Sequence, residues 1–368
     1  MPIIFQPVKI SNPPDGEAGL ELKNRLVRSA TGERMVDKEG RVTDELVKLY
    51  EQLARGGVGT IITGHSFVRP DGKSGWQMMG IHQDDMIIGL RRLARVVGQY
   101  DARILVQLNH TGRYAPGAII GTNPLTPSVT EETKGMYPPR EMNEKDIGEI
   151  IQAFGQAAAR AQEAGFDGVQ IHAAHGYLVS QFLSPLSNRR TDAWGGDVRN
   201  RAKFLLEIYK NIRQTVGNKF AVWVKINCED FVEGGFSLQD SLFTAGLLEK
   251  ESINLIEISG GVSFQTVIRS NIGTKEPEAC FLPQAEQFRA RLKVPLSLVG
   301  GIRSLKTMEM LIKDKGFDLV SLCRPLIYDP GLPLKLARKD LTQSECTSCN
   351  KCLTMRKSEP VQCRQDKN

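Results

Sequence analysis

The chain has 368 residues, of which 48 are basic and 42 acidic, giving a net charge of +6 at pH 7. With 40% hydrophobic and 24% charged residues and a mean hydropathy of −0.26, its composition argues against collagen, coiled coil and disorder, and no run of 18 apolar residues marks a membrane span. The charges are spread without a basic block interleaved with aromatics, so neither nucleic acid nor a membrane is an expected partner; the start, MPIIFQPVKISNPPDG, lacks a basic segment ahead of an apolar core, which makes the cytoplasm the expected location.

Residues 1–25 read as a short hairpin around the turn SNPPDGEAG, placed to plug the bottom of a barrel built by the rest of the chain. Eight β-rich runs then recur at a spacing of roughly 40 residues: 26–31, 60–65, 103–110, 168–175, 221–227, 255–261, 296–301 and 319–324. Most are near-continuous apolar runs (IIT, ILVQL, GVQI, VWVKI, LIEI, LSLV, LVSL), the pattern of parallel strands buried on both faces. Helical patterns fill the gaps. Thr43 with Asp44 and Glu45 opens one that closes at Gly56-Gly57; Asn143 opens another that runs to Gly165; Asn200 to Val216 is a third; Ser304 opens a late one. Eight βα units over about 300 residues predict a (β/α)8 TIM barrel. The other arrangement weighed, an open doubly wound sheet, usually carries GxGxxG after its first strand, and no GxGxxG occurs in the chain. The expected division is a barrel over 1–340 and a cysteine-bearing tail over 341–368.

In a barrel the chemistry gathers where strands end. These ends are unusually polar, and four of the five histidines sit there: His65, His110, His172 and His175. Gly300 and Gly301 after the seventh strand, with Arg324 ending the eighth, suit a phosphate; a tight turn beside a surface arginine is the bland alternative. Lys225, inside VWVKIN, must meet an anion if it points inward, whereas outward it would bury only its stem. His172 and His175 lie three apart and would face opposite sides of a continuing strand. If the chain turns there, both converge on one ligand atom with Tyr177 close by, a set that could grip a substrate oxygen and deliver a proton beside it. HxxH alone is weak evidence for zinc.

Taken together the motifs LKNRLVRSAT, GGVGTIITGHSFVRPDG, VQLNHTGR, IHAAHGYLVSQFLSPLSNRRTDAWGG, NRAKFLLEI, VKIN, VGGIRS and CRPLI run in order from about residue 2 to 335. The chain resembles the old yellow enzyme family of FMN-dependent ene-reductases, in particular the barrel domain of bacterial 2,4-dienoyl-CoA reductases and related NADH:flavin oxidoreductases. The resemblance implies FMN across the top of the barrel. Ser29, Ala30, Thr31 and Gly32 would line one side of it with His65, Gln107 would bond the pyrimidine edge, and Lys225 would sit near N1 and O2. Gly300, Gly301, Cys323 and Arg324 would hold the phosphate. His172 and His175 would bond a substrate carbonyl or nitro oxygen, and Tyr177 would protonate the neighbouring carbon. Many relatives carry Cys or Thr near flavin N5 where ungapped alignment places Gly32, with Thr31 the candidate replacement. The loop 112–142 is expected to cover the site.

The tail adds Cys346, Cys349, Cys352 and Cys363, a C-x2-C-x2-C run with a fourth cysteine beyond. Four thiolates so placed suit a four-iron cluster or zinc; the resemblance favours the cluster, with one gap a residue shorter than in relatives. The leading expectation is an enzyme that passes hydride from NADH or NADPH through FMN to an electron-poor alkene. Two alternatives are a flavin electron-transfer subunit fed by a partner protein through an iron–sulfur centre, and a non-catalytic flavin- or metal-binding protein. The sequence is also compatible with a homo-oligomer.

Overall fold

The computed structural model describes residues 1–11, 19–130, 136–262, 264–267, 269–353 and 359–365. In chain order the strands are β1 (Val8–Ser11), β2 (Gly19–Leu22), β3 (Leu26–Arg28), β4 (Thr60–Ile62), β5 (Ser66–Phe67), β6 (Arg103–Asn109), β7 (Leu125–Thr126), β8 (Arg140–Glu141), β9 (Gly168–Ala173), β10 (Ala221–Asn227), β11 (Leu255–Ser259), β12 (Leu296–Val299) and β13 (Leu319–Leu322). The main sheet runs β4-β3-β13-β12-β11-β10-β9-β6, and pairing of β4 with β6 closes it. Every pairing within it is parallel. The expected TIM barrel is therefore the observed fold. The sequence reading overran several strand ends: the first leaves the sheet after Arg28 and the second after Ile62, where the chain bends off to line the barrel mouth.

The helices α1 (Asp44–Arg55), α2 (Met86–Gly98), α3 (Gly117–Ile120), α4 (Glu144–Glu163), α5 (Leu178–Leu183), α6 (Val198–Val216), α7 (Leu238–Lys250), α8 (Phe264–Val267), α9 (Leu282–Arg291), α10 (Leu305–Lys313), α11 (Arg324–Tyr328) and α12 (Leu332–Arg338) fill the intervals between strands or come after the last. Their starts follow side-chain caps. Thr43 accepts from Leu46 N, Asn143 and Asp146 form a reciprocal capping box, and Ser304 accepts from Thr307 N. No helix among the described residues is long and apolar enough to cross a membrane.

The barrel interior is graded. At the bottom, β1 and β2 pair as the expected hairpin, and its Ile10 and Leu22 pack against Val27, Ile62, Leu105, Trp223, Leu255 and Leu319. The turn 12–18 lies outside the described residues. Side chains two positions further along a strand share the same face, so the layer above Leu105, Trp223 and Leu255 is Gln107, Lys225 and Glu257, all buried. Apolar residues seal the bottom and polar ones reach the mouth.

Candidate active site

The polar mouth opens into a cavity of about 490 Å³. It is lined by Ser29, Ala30, Thr31, Gly32, His65, Gln107, His172, His175, Tyr177 and Lys225, and on the opposite side by Gly300, Gly301, Cys323 and Arg324. All of the FMN and substrate residues expected from sequence thus border one space, whereas the four tail cysteines do not.

The His172–Tyr177 segment makes the turn that convergence required. β9 stops at Ala173, and His175 and Gly176 adopt positive φ of 62° and 76° before α5 begins. The His172 and His175 rings then stand edge to face with centroids 5.2 Å apart, and the Tyr177 ring is 5.1 Å from His172 and 5.3 Å from His65. His175 Nε2 bonds Ser259 Oγ at 2.8 Å, and His65 Nε2 bonds Ser74 Oγ at 3.3 Å. His172 Nδ1 is buried and has no partner among the described residues, the condition of a group that awaits a ligand atom. His110 behaves differently. It turns away from the cavity, fully buried, with Nε2 3.2 Å from Asp71.

Burial governs protonation here. It holds His65 down at about 4 and pushes His172 and His175 well below the ordinary imidazole range, the neighbouring positive groups adding to the effect. These imidazoles are neutral at pH 7 and donate hydrogen bonds without carrying charge. Burial raises the Tyr177 phenol, with Tyr114 adding to the shift, so Tyr177 holds its proton.

Lys225 points inward, as the anion-facing reading required. Its ammonium donates to Ser29 Oγ at 2.8 Å and lies 3.6 Å from the fully buried Glu257 carboxylate. Gln107 donates to Gln170 at 2.7 Å. At the other end, Gly300 and Gly301 have φ of 147° and 70°, and a Cβ at Gly301 would stand 1.9 Å from Ile272. The Arg324 guanidinium donates to Arg269 O (2.7 Å) and Asn350 Oδ1 (2.6 Å), which fixes it at the cavity edge. Gly32 leaves open space above the barrel, with only His65 within 4 Å of a notional Cβ. The Thr31 hydroxyl is held by Ser29 O and lies 3.2 Å from Cys323 Sγ.

Sequence reasoning missed Gln170, Glu257, Ser259 and Tyr114. Gln170 sits two residues before His172 on the same inward face. Glu257 interrupts the apolar run LIEI as Lys225 interrupts VWVKI, and the two are direct partners in register. Among the described residues, Tyr114 is what the loop expected to cover the site contributes to the cavity lining; residues 131–135 of that loop lie outside the described residues.

The tail crosses the barrel mouth. Val361 N bonds Glu33 O, Asn271 N bonds Ser348 O, and Leu353 lines the cavity. Cys346 and Cys352 are buried and Cys349 and Cys363 half-buried. Among the described residues no three His, Cys, Asp or Glu side chains group as metal ligands.

Residues 3–343 match the model of the NADH:flavin oxidoreductase / NADH oxidase family. An NADH oxidase of Thermoanaerobacter brockii is 34% identical over 95% of this chain and 53% of its own length. An NADPH dehydrogenase of Geobacillus sp. (strain WCH70) is 36% identical over 87% of this chain and 92% of its own. A solved 2-naphthoyl-CoA reductase, in complex with 2-naphthoyl-CoA, superposes with a TM-score of 0.87 at 29% identity, over 95% of this chain and 54% of that one. The chain therefore spans about half the length of the first curated relatives it matches.

Proposed function

The chain belongs to the NADH:flavin oxidoreductase / NADH oxidase family, and on that premise we propose that it binds FMN and reduces an alkene conjugated to a carbonyl or nitro group at the expense of NADH or NADPH. The observation that carries this reading is the convergence of His172, His175 and Tyr177 over a cavity whose floor holds Lys225 and Gln107.

The residues fit such a cofactor. The unpartnered His172 Nδ1, the glycine pair at positive φ and the inward ammonium all face one space large enough for a flavin mononucleotide together with a small substrate. Gly300 and Gly301 would bring backbone N–H groups to the phosphate, and Arg324 would add a charge-assisted contact. Lys225 would stand by the pyrimidine edge, where negative charge collects on reduction, and Gln107 would bond that edge. When bound, the flavin supplies a hydride acceptor and donor that serves nicotinamide and alkene in turn.

The chain's own residues do the rest. Neutral His172 and His175 donate hydrogen bonds to the substrate carbonyl or nitro oxygen, which draws electron density from the alkene and stabilises charge that develops there. Tyr177, neutral and within ring contact of His172, donates a proton to the carbon next to the activating group. His172 is buried and His175 and Tyr177 are only partly exposed, which limits the competition of water for these contacts.

The relatives named NADH oxidase and NADPH dehydrogenase support a nicotinamide donor, and the naphthoyl-CoA reductase supports an unsaturated acyl thioester among the substrates. A second reading, electron delivery by a partner protein through a metal centre in the tail, is favoured by one observation: Leu353, next to Cys352, lines the same cavity. Anaerobic titration tests both. NADH or NADPH should bleach the flavin, and an enone should restore its colour; a flavin bleached by neither nucleotide would overturn direct hydride delivery.

A further inference from the structure

Below the cavity floor the barrel interior carries a connected polar chain. Gln107 Nε2 donates to Gln170 Oε1 (2.7 Å), and Gln170 Nε2 donates to Glu257 Oε2 (2.8 Å). Ser29 Oγ donates to Glu257 Oε1 (2.6 Å), and Lys225 Nζ donates to Ser29 Oγ (2.8 Å). Lys225 and Glu257 are direct partners on β10 and β11, with ammonium and carboxylate 3.6 Å apart. Gln107, Ser29 and Lys225 line the cavity, whereas Gln170 and Glu257 are fully buried behind them.

Stability is a poor account of this pair. A buried ion pair regains its desolvation cost only with good geometry, and apolar side chains of similar volume often do as well or better. The layer directly beneath, Leu105, Trp223 and Leu255, is apolar, so this barrel fills its interior without charge one layer down. What the pair does control is the layer above. Both Glu257 oxygens are committed, one toward Lys225 through Ser29 and one toward Gln107 through Gln170. A single carboxylate therefore anchors the two side chains assigned to the flavin's pyrimidine edge, and it offsets part of the Lys225 charge.

We propose that Glu257 is a positioning residue that lowers the midpoint potential of the bound flavin, making it a stronger hydride donor than Lys225 alone would leave it. This rests on the assignment of Lys225 beside N1 and O2. A cation there favours the reduced, more negative flavin; an anion immediately behind the cation works against it, and in a low-dielectric interior a fixed charge acts at this distance.

The test is the midpoint potential of the FMN-loaded protein, measured against redox dyes for the parent, Glu257→Gln, Lys225→Met and the charge-neutral double variant. Lys225→Met should lower the potential. Glu257→Gln should raise it by a tenfold or greater gain in the preference for reduced over oxidised flavin, about 30 mV for a two-electron couple. The double variant should lie no lower than Lys225→Met, in which an unpaired buried carboxylate is disfavoured. If Glu257→Gln does not yield a folded flavoprotein, Lys225→Arg with and without Glu257→Gln makes the same comparison with the cation held constant, and loss of the carboxylate should again raise the potential. A potential unchanged or lowered by loss of the carboxylate, while Lys225→Met lowers it, overturns the role of Glu257 alone. A potential unmoved by Lys225→Met overturns the placement of Lys225 and this inference with it.

Discussion

Tyr177 keeps its proton beside imidazoles that are neutral at pH 7, and on the proposed reading it is the acid offered to a substrate carbon. Tyr177→Phe keeps the ring and removes the proton. Reoxidation of reduced flavin by an enone should slow by about 10²–10⁴-fold, while reduction by NADH or NADPH stays within a few-fold. Stopped-flow measurement of the two half-reactions separates them, and an equal loss in both would count against proton donation. The same burial ties stability to pH. His65, His172 and His175 have folded-state values below their unfolded value of about 6.5. As pH falls, the unfolded chain takes up protons first, so their contribution is complete above about 6.5 and is lost as pH falls toward 4. Glu33 acts with the opposite sign. Burial raises its carboxyl to about 7, Arg28 and Tyr50 only partly opposing. The native state therefore keeps a proton that the unfolded state releases above about 4.5, so this contribution declines from there and is gone above about 7. The two effects oppose each other across nearly the same window, and Tm recorded from about pH 4 to 8.5 in the variants separates them. His65→Asn should weaken the rise of Tm with pH below about 6.5, and Glu33→Gln should steepen it below about 7; a profile that both variants leave unchanged would show these groups do not set it.

The strands and helices show which parts of the structure are written locally. The caps at Thr43, Asn143 and Ser304 were legible because a cap and its helix are neighbours in sequence. The eight buried strands were legible because a parallel strand covered on both faces is an apolar run. The ends of the first two strands were not, since a strand stops where its partner's hydrogen bonds stop, and that partner lies elsewhere in the chain. Lys225 stood out as a charge in such a run; Glu257 carried the same signal, but its meaning depends on the register of β10 against β11, which no local spacing contains. Even so, the lining residues named from the motifs all reach the cavity, because strand ends of a barrel share one rim. Two changes probe the elements that shape that rim. Ile10 of the hairpin is 2% exposed and seals the barrel bottom. Ile10→Ala should cost about 2–5 kcal/mol in urea unfolding with FMN affinity little changed, because the lesion lies at the end remote from the cavity. Gly301→Ala should do the reverse at the flavin. A Cβ 1.9 Å from Ile272 forces the turn to shift, and FMN retention on dilution should fall, as it should for Arg324→Ala; full retention in both would refute the phosphate assignment.

At the scale of the whole molecule, the tail is built onto the mouth of the barrel rather than hung from it. Thr342 O accepts from Leu305 N, Ser344 N bonds Arg303 O, and Arg324 reaches Asn350, so residues 342–353 are strapped to the β12 and β13 ends where the phosphate would lie. Further on, Val361 N pairs with Glu33 O just past β3. This route brings Cys352 next to Leu353 on the cavity wall, and it spans the gap between Cys352 and Cys363, whose middle, residues 354–358, lies outside the described residues. A C-x2-C-x2-C run with a fourth thiol in reach is the donor set of an iron–sulfur cluster or zinc, although the thiols among the described residues do not already form a ligand group. The segment that carries these thiols also lines the cavity through Leu353 and is bonded to Arg324 through Asn350, so metal and flavin retention should be linked. Protein purified without oxygen should carry iron and acid-labile sulfide near four per chain for a cluster, or zinc near one for a tetrathiolate knot. Replacing Cys349 and Cys352 with Ser should then lose the metal and also speed FMN release, since Arg324 loses its hold on the Asn350 segment. Protein that contains neither metal, or a double variant that keeps FMN as tightly as the parent, would leave the tail as a strap fastened by its hydrogen bonds alone.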